Sequence, residues 1–116
     1  PWEAEWGRAA ARLLLNDGAA FDAVICQNDV LARGCIEELE RNGCRVPQDV
    51  AVIGHDNSPD YVSYAHPLLT SIDDNNEMLG RQAALCLLDA IAGHPHHGVE
   101  RVPVKLIQRE STLPLD

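Results

Sequence analysis

Three short apolar runs, each followed by a polar turn and a stretch of helical periodicity, constrain this chain more than any other feature. The runs lie within "FDAVICQ", "VAVIG" and "LTSID". They are too short and too β-branched to read as helices, so they predict buried strands at Ala23–Gln27, Val50–Gly54 and Leu69–Asp73. Helical stripes separate them. Residues 3–17 place Trp6, Ala9, Ala10, Leu13 and Leu14 at helical spacing, with Gly18 as the stop. Asn28 and Asp29 open a second helix whose inner stripe is Leu31, Ala32, Cys35, Ile36 and Leu39. Its Arg33, Glu37, Glu40 and Arg41 are expected to face water, with Glu37 spaced to pair Arg41. Asn42-Gly43 ends it.

Beyond the turn "RVPQD" and the second strand, "NSPDYVSYAH" reads as a short helix or turn with Pro59 near its first position. Asp74 and Glu77 have capping-box spacing, and a long helix is expected from there to about Ala92. Leu79, Ala83, Cys86, Leu87, Ala90 and Ile91 form its expected inner stripe. The final segment "VERVPVKLIQREST" is extended, and Pro103 makes it an edge or irregular strand. Alternation of this kind predicts an α/β fold: an open parallel sheet with helices on both faces.

In such a sheet ligands bind outside the carboxyl ends of the strands. Gln27, Asn28 and Asp29 follow the first strand; His55, Asp56 and Asn57 the second; Asp73, Asp74, Asn75 and Asn76 the third. Trp2 precedes the first helix and is expected at the same edge. Amides, carboxylates and an indole suit a hydroxyl-rich ligand, because such groups pair with hydroxyls and reject analogues lacking them. The same Asn and Asp residues are also good helix caps and turn formers, and the pattern alone leaves both readings open.

Charge narrows the partners. With 18 Asp and Glu against 9 Lys and Arg, the net charge of −9 disfavours direct binding to a phosphate backbone or an anionic membrane. No apolar run has membrane-spanning length. Cys26, Cys35, Cys44 and Cys86 fit no zinc template and read as reduced, small hydrophobes, which suits a cytoplasmic setting. His94, His96 and His97 sit in the breaker-rich "GHPHHG". Without a neighbouring Cys or carboxylate they read as a solvated loop, so no metal and no cofactor is expected. Catalysis is not expected either: no G-x-S-x-G, phosphate-cradling glycine loop or H-E-x-x-H occurs, and neighbours such as His55 and Asp56 often point apart in a turn.

Six pieces in fixed order, "ND" opening a helix, "RVPQDV", "VIGHDNSP", "PLLTSID", "LGRQAA" and "IQREST", resemble the effector-binding domain of the LacI/GalR family of bacterial transcription regulators. The resemblance spans nearly the whole chain. It implies one subdomain, the C-terminal one at 1–116, of a type I periplasmic-binding-protein-like fold. The sister subdomain and a helix-turn-helix headpiece, through which alone operator DNA is bound, would lie upstream. Trp2, Asn28 and Asp56 match effector-contacting positions, and "TSIDDNNE" would cross to the sister subdomain, carrying Asp74 toward the cleft. A small-molecule effector, a sugar by the chemistry of these residues, and homodimerisation through the outer part of helix 29–41 and segment 58–65 are implied. A periplasmic sugar-binding protein of a transport system shares this fold and is the alternative. Two departures, one extra residue between Asp56 and Leu69 and the acidic "DDNN", leave the effector unnamed.

Overall fold

A computed structural model describes residues 3–18 and 20–112. Its elements are α1 (Ala4–Asn16), β1 (Ala23–Ile25), α2 (Asp29–Arg41), β2 (Ala51–His55), α3 (Pro59–Val62), β3 (Thr70–Asp73), α4 (Asn76–Ile91) and β4 (Lys105–Ile107). The strands lie in the order β1-β2-β3-β4. β1, β2 and β3 are parallel, with Val24 opposite Val52 and His55 opposite Ile72. β4 pairs antiparallel to β3, so the expectation of one common direction holds for three strands and fails at the edge. Pro103, two residues before β4, fits that edge position.

The core gathers between α2 and the Val24–Val52 face of the sheet. Ala32, Cys35, Ile36, Leu39, Val50, Val52 and Leu69 are buried there. α1 stacks on α2 at backbone contact distance. A Cβ on Gly7 would stand 2.0 Å from the Leu31 carbonyl oxygen, and one on Gly34 1.9 Å from that of Ala4. The buried residues of α1 are therefore Gly7 and Ala11, not the larger Trp6 and Leu13, which are exposed.

Two charge assignments change. Arg33 is 3% exposed, not solvated. Its guanidinium donates to the carbonyls of Tyr61, Val62 and Pro67 and stacks on the Tyr64 ring at 5.2 Å. Arg33 thus anchors segment 58–67 to α2. Glu37 pairs with Arg8 of α1 at 2.7 Å, whereas Arg41 approaches Glu38 at 3.7 Å.

Ser111, fully buried, joins β2 to β3 below the start of their ladder. Its hydroxyl donates to the Val52 carbonyl at 2.6 Å and accepts the Thr70 amide at 2.8 Å. Its carbonyl accepts the Val52 amide at 2.8 Å.

α4 departs from expectation in two ways. Its N-cap is Asn75, left-handed at φ 55°, with no side-chain cap; the Asp74–Glu77 capping box does not form. None of its residues is buried, and it packs substantially on no other element. Leu87 is 62% and Ile91 75% exposed. The second face of the sheet is also open at its edges, where Ile25 and Leu106 are exposed. The stripe is apolar, as the periodicity says, but no described element packs over it. Among the described residues no helix is long and apolar enough to cross a membrane.

Candidate functional site

β2 ends at His55, and the chain then makes a turn that few side chains accept. Asp56 has φ 99° and Asn57 φ 49°. Asp and Asn are among the residues that tolerate positive φ, and strain of this sort concentrates at binding sites. Successive amides hold the turn. The Asp56 amide donates to the Ile72 carbonyl at 3.0 Å. The Asn57 amide donates to the Ser71 hydroxyl at 3.0 Å, and the Ser58 amide to Asp29 Oδ2 at 2.7 Å.

Asp29 is the hub beneath. It is 1% exposed, and its Oδ1 accepts the Ser71 hydroxyl at 2.6 Å. Burial pushes its carboxyl above the ordinary value, opposed by the Ser71 hydroxyl and the Ser58 amide. Gly54 makes room: a Cβ there would stand 2.2 Å from Asp29 Oδ1. Asn57 is tied in turn, donating to Asp73 Oδ2 at 3.2 Å and accepting from Arg109 at 2.7 Å. Arg109 also donates to the Leu69 carbonyl at 2.8 Å. The residues that brace the site, Asp29, Asn57, Ser71 and Arg109, thus come from four separate segments. Only their proximity in the fold reveals that role. Nothing in the sequence singles out Ser71, since Thr70 and Asp73 of the same strand are polar as well.

Above this floor the acceptors converge. His55 lies between two carboxylates, its Nδ1 3.3 Å from Asp56 Oδ1 and its Nε2 3.3 Å from Asp74 Oδ1. One ligand atom from each of His55, Asp56 and Asp74 lies within 4.8 Å of the others. His55 and Asp56 therefore do not point apart. Asp56 is half exposed and Asp74 less so, leaving both free to accept from a ligand. Imidazole with two carboxylates suits hydroxyl groups, and the same spacing suits a divalent cation.

Asn28 sits at the end of β1 as the N-cap of α2, its Oδ1 accepting the Leu31 amide at 2.9 Å. The cap reading is thereby realised for Asn28, with Nδ2 remaining for a ligand. Of the four expected site residues, Asp56 and Asp74 are brought together, Asn28 stands on the neighbouring strand end, and Trp2 lies outside the described residues.

The family model of the periplasmic binding protein-like domain matches residues 2–112. The chain belongs to that family. Its sequence places it among the effector-binding domains of the LacI/GalR type. It is 38% identical over 106 residues to the HTH-type transcriptional regulator CelR of Thermobifida fusca, covering 90% of this chain and 31% of that protein. A dimeric Lac repressor with an 11-residue C-terminal deletion superposes with a TM-score of 0.89 at 31% identity, covering 99% of this chain and 42% of that one. A CelR–cellobiose complex superposes with a TM-score of 0.81 at 36% identity, covering 94% and 33%. The chain spans about a third of the length of the curated relatives it matches.

Proposed function

We propose that this chain is the C-terminal subdomain of the effector-sensing part of a LacI-type transcription regulator. It binds a hydroxyl-rich small molecule, a sugar, at the carboxyl ends of β1, β2 and β3. The observation that carries this reading is the meeting of Asp56, His55 and Asp74 on a turn braced by buried Asp29 and Arg109. A braced, exposed pair of carboxylates is a preorganised acceptor for hydroxyls. Asn28 adds an amide from the next strand, and Trp2, by the family resemblance, packs on the ring. The cellobiose in the CelR complex supports a sugar over other ligand classes.

The exposed apolar stripe of α4 supports a crossing at Asp73–Asn76 into a sister subdomain, which would cover Leu79, Leu87 and Ile91. Effector binding then favours one arrangement of the two subdomains, and that arrangement sets operator affinity through a headpiece elsewhere in the protein. The regulator names among the relatives favour this role over transport. The chain itself catalyses nothing in this account. Free thiols at all four cysteines agree with a cytoplasmic setting.

Homodimerisation through this subdomain is part of the reading. α1 covers one flank of α2, so the docking face narrows to segment 58–65, where exposed Tyr64 is held by Arg33. Calorimetric titration of the intact regulator with a panel of sugars and nucleobases tests the ligand class. Binding of a sugar supports the reading; binding of a nucleobase and no sugar overturns it.

A further inference from the structure

The loop histidines left unused by the effector site are not alone. After α4 the chain folds back on the last turns of the helix and brings His96 among three groups. His96 Nε2 lies 2.8 Å from Asp89 Oδ2, and His96 Nδ1 lies 3.1 Å from Glu100 Oε1. Cys86 Sγ lies 3.9 Å from Glu100 Oε2. One ligand atom from each of Cys86, His96 and Glu100 falls within 4.8 Å of the others. The loop histidines read as solvated for want of a neighbouring Cys or carboxylate, and the fold supplies both. Cys86 belongs to α4 and Glu100 to the returning segment, so only the reversal after Gly93 (φ 90°) joins them to the histidine.

We propose that Cys86, His96 and Glu100 form a Zn²⁺ site, with Asp89 holding the histidine from behind.

The donor set is the first argument. A thiolate, an imidazole and a carboxylate together select zinc over the hard cations, which prefer all-oxygen sites. Geometry is the second. Zinc bonds of about 2.0–2.3 Å place tetrahedral ligands roughly 3.3–3.8 Å apart. The two contacts to Glu100, 3.1 and 3.9 Å, bracket that spacing, and the Cys86 and His96 ligand atoms, within 4.8 Å of each other, need to close by an ångström or so at most. Asp89 is the third. A ligating histidine nearly always gives its other ring N–H to a carboxylate, which fixes the tautomer and raises ligand basicity. With Asp89 on Nε2, Nδ1 is the nitrogen turned toward Glu100. Burial, with Glu100 and Asp89 nearby, holds the Cys86 thiol above its ordinary pKa. A bound divalent ion reverses that balance, since a coordinating thiol loses its proton outright. The thiol proton leaves to solvent, and one thiolate with one carboxylate neutralises the ion. The fourth position is open to water. Such a site clips the end of α4 to the segment that leads into β4, away from the effector site.

Cobalt(II) titration of the whole chain, freed of metal by a chelator, tests the site. Thiolate-to-cobalt charge-transfer absorption is expected to saturate at one equivalent and to be displaced by Zn²⁺. It is expected to vanish in Cys86→Ser and to need at least about tenfold more metal in His96→Gln, Glu100→Gln or Asp89→Asn. A doubly substituted His94→Gln, His97→Gln chain should titrate as the parent does. Because these side chains lie at the surface, circular dichroism should show each variant folded. No charge-transfer band at millimolar cobalt overturns the proposal. So does a band that survives Cys86→Ser, or one lost with His94 and His97 but retained without His96.

Discussion

Asn28 caps α2 through Oδ1, and its Nδ2 makes no hydrogen bond among the described residues. The two roles separate by substitution. Asn28→Ser keeps a capping oxygen, so unfolding stability should change by less than about 0.5 kcal/mol. It removes the amide donor, so effector affinity should fall about tenfold by calorimetry. Asn28→Ala loses both functions and about 1 kcal/mol of stability. Asp29 works from below and is not expected to touch effector. Its two oxygens accept from the Ser71 hydroxyl and the Ser58 amide, and an amide side chain there would keep only one acceptor for the two donors. Urea unfolding of Asp29→Asn should therefore show a loss of about 1–3 kcal/mol. The pH dependence has a definite sign. Burial raises the carboxyl above 3.8 in the fold, so the folded chain binds that proton more tightly than the unfolded chain. Stability attributable to Asp29 therefore declines as pH rises from 3.8 through the folded value, and Asp29→Asn should remove that slope. Asp56 and Asp74 are legible in the sequence because they follow apolar runs directly. Asp29 is legible only as a cap, since nothing in "QND" says that its carboxylate turns inward to hold residues 58 and 71.

Helix and strand positions follow closely from periodicity, because each apolar run and each stripe has its own local signature. Which face of a helix is buried does not. In α1 the apolar count favours Trp6 and Leu13, yet the helix turns Gly7 and Ala11 inward because backbone contact with α2 leaves no room for more. Gly34→Ala would drive a methyl into the Ala4 carbonyl. It should cost about 1–3 kcal/mol in chemical unfolding, where a surface Gly80→Ala should not destabilise. Arg33 shows the same limit. Helical spacing assigns it to solvent, but three carbonyls of segment 61–67 and the Tyr64 ring enclose it. The direction of β4 was equally out of reach, since a crossover and a reversal look alike in an extended segment with one proline.

At the scale of the molecule, the packing divides. α1, α2 and the sheet enclose a core, while α4 presents Met78, Leu79, Leu85, Leu87, Leu88 and Ile91 unpacked. A helix stabilised by packing exchanges slowly, and an unpacked one exchanges near the rate of local fraying. Amides of α4 in this chain should therefore exchange much faster than those of α2, and slow markedly in the intact regulator if a sister subdomain covers them. Equal protection in both contexts would contradict the crossing. The most direct test of the account is operator affinity of the intact regulator with and without a bound sugar, in the parent and in Asp56→Ala. The account predicts that sugar shifts operator affinity in the parent and that Asp56→Ala binds operator normally but loses the shift. A sugar response of undiminished size in Asp56→Ala would contradict it.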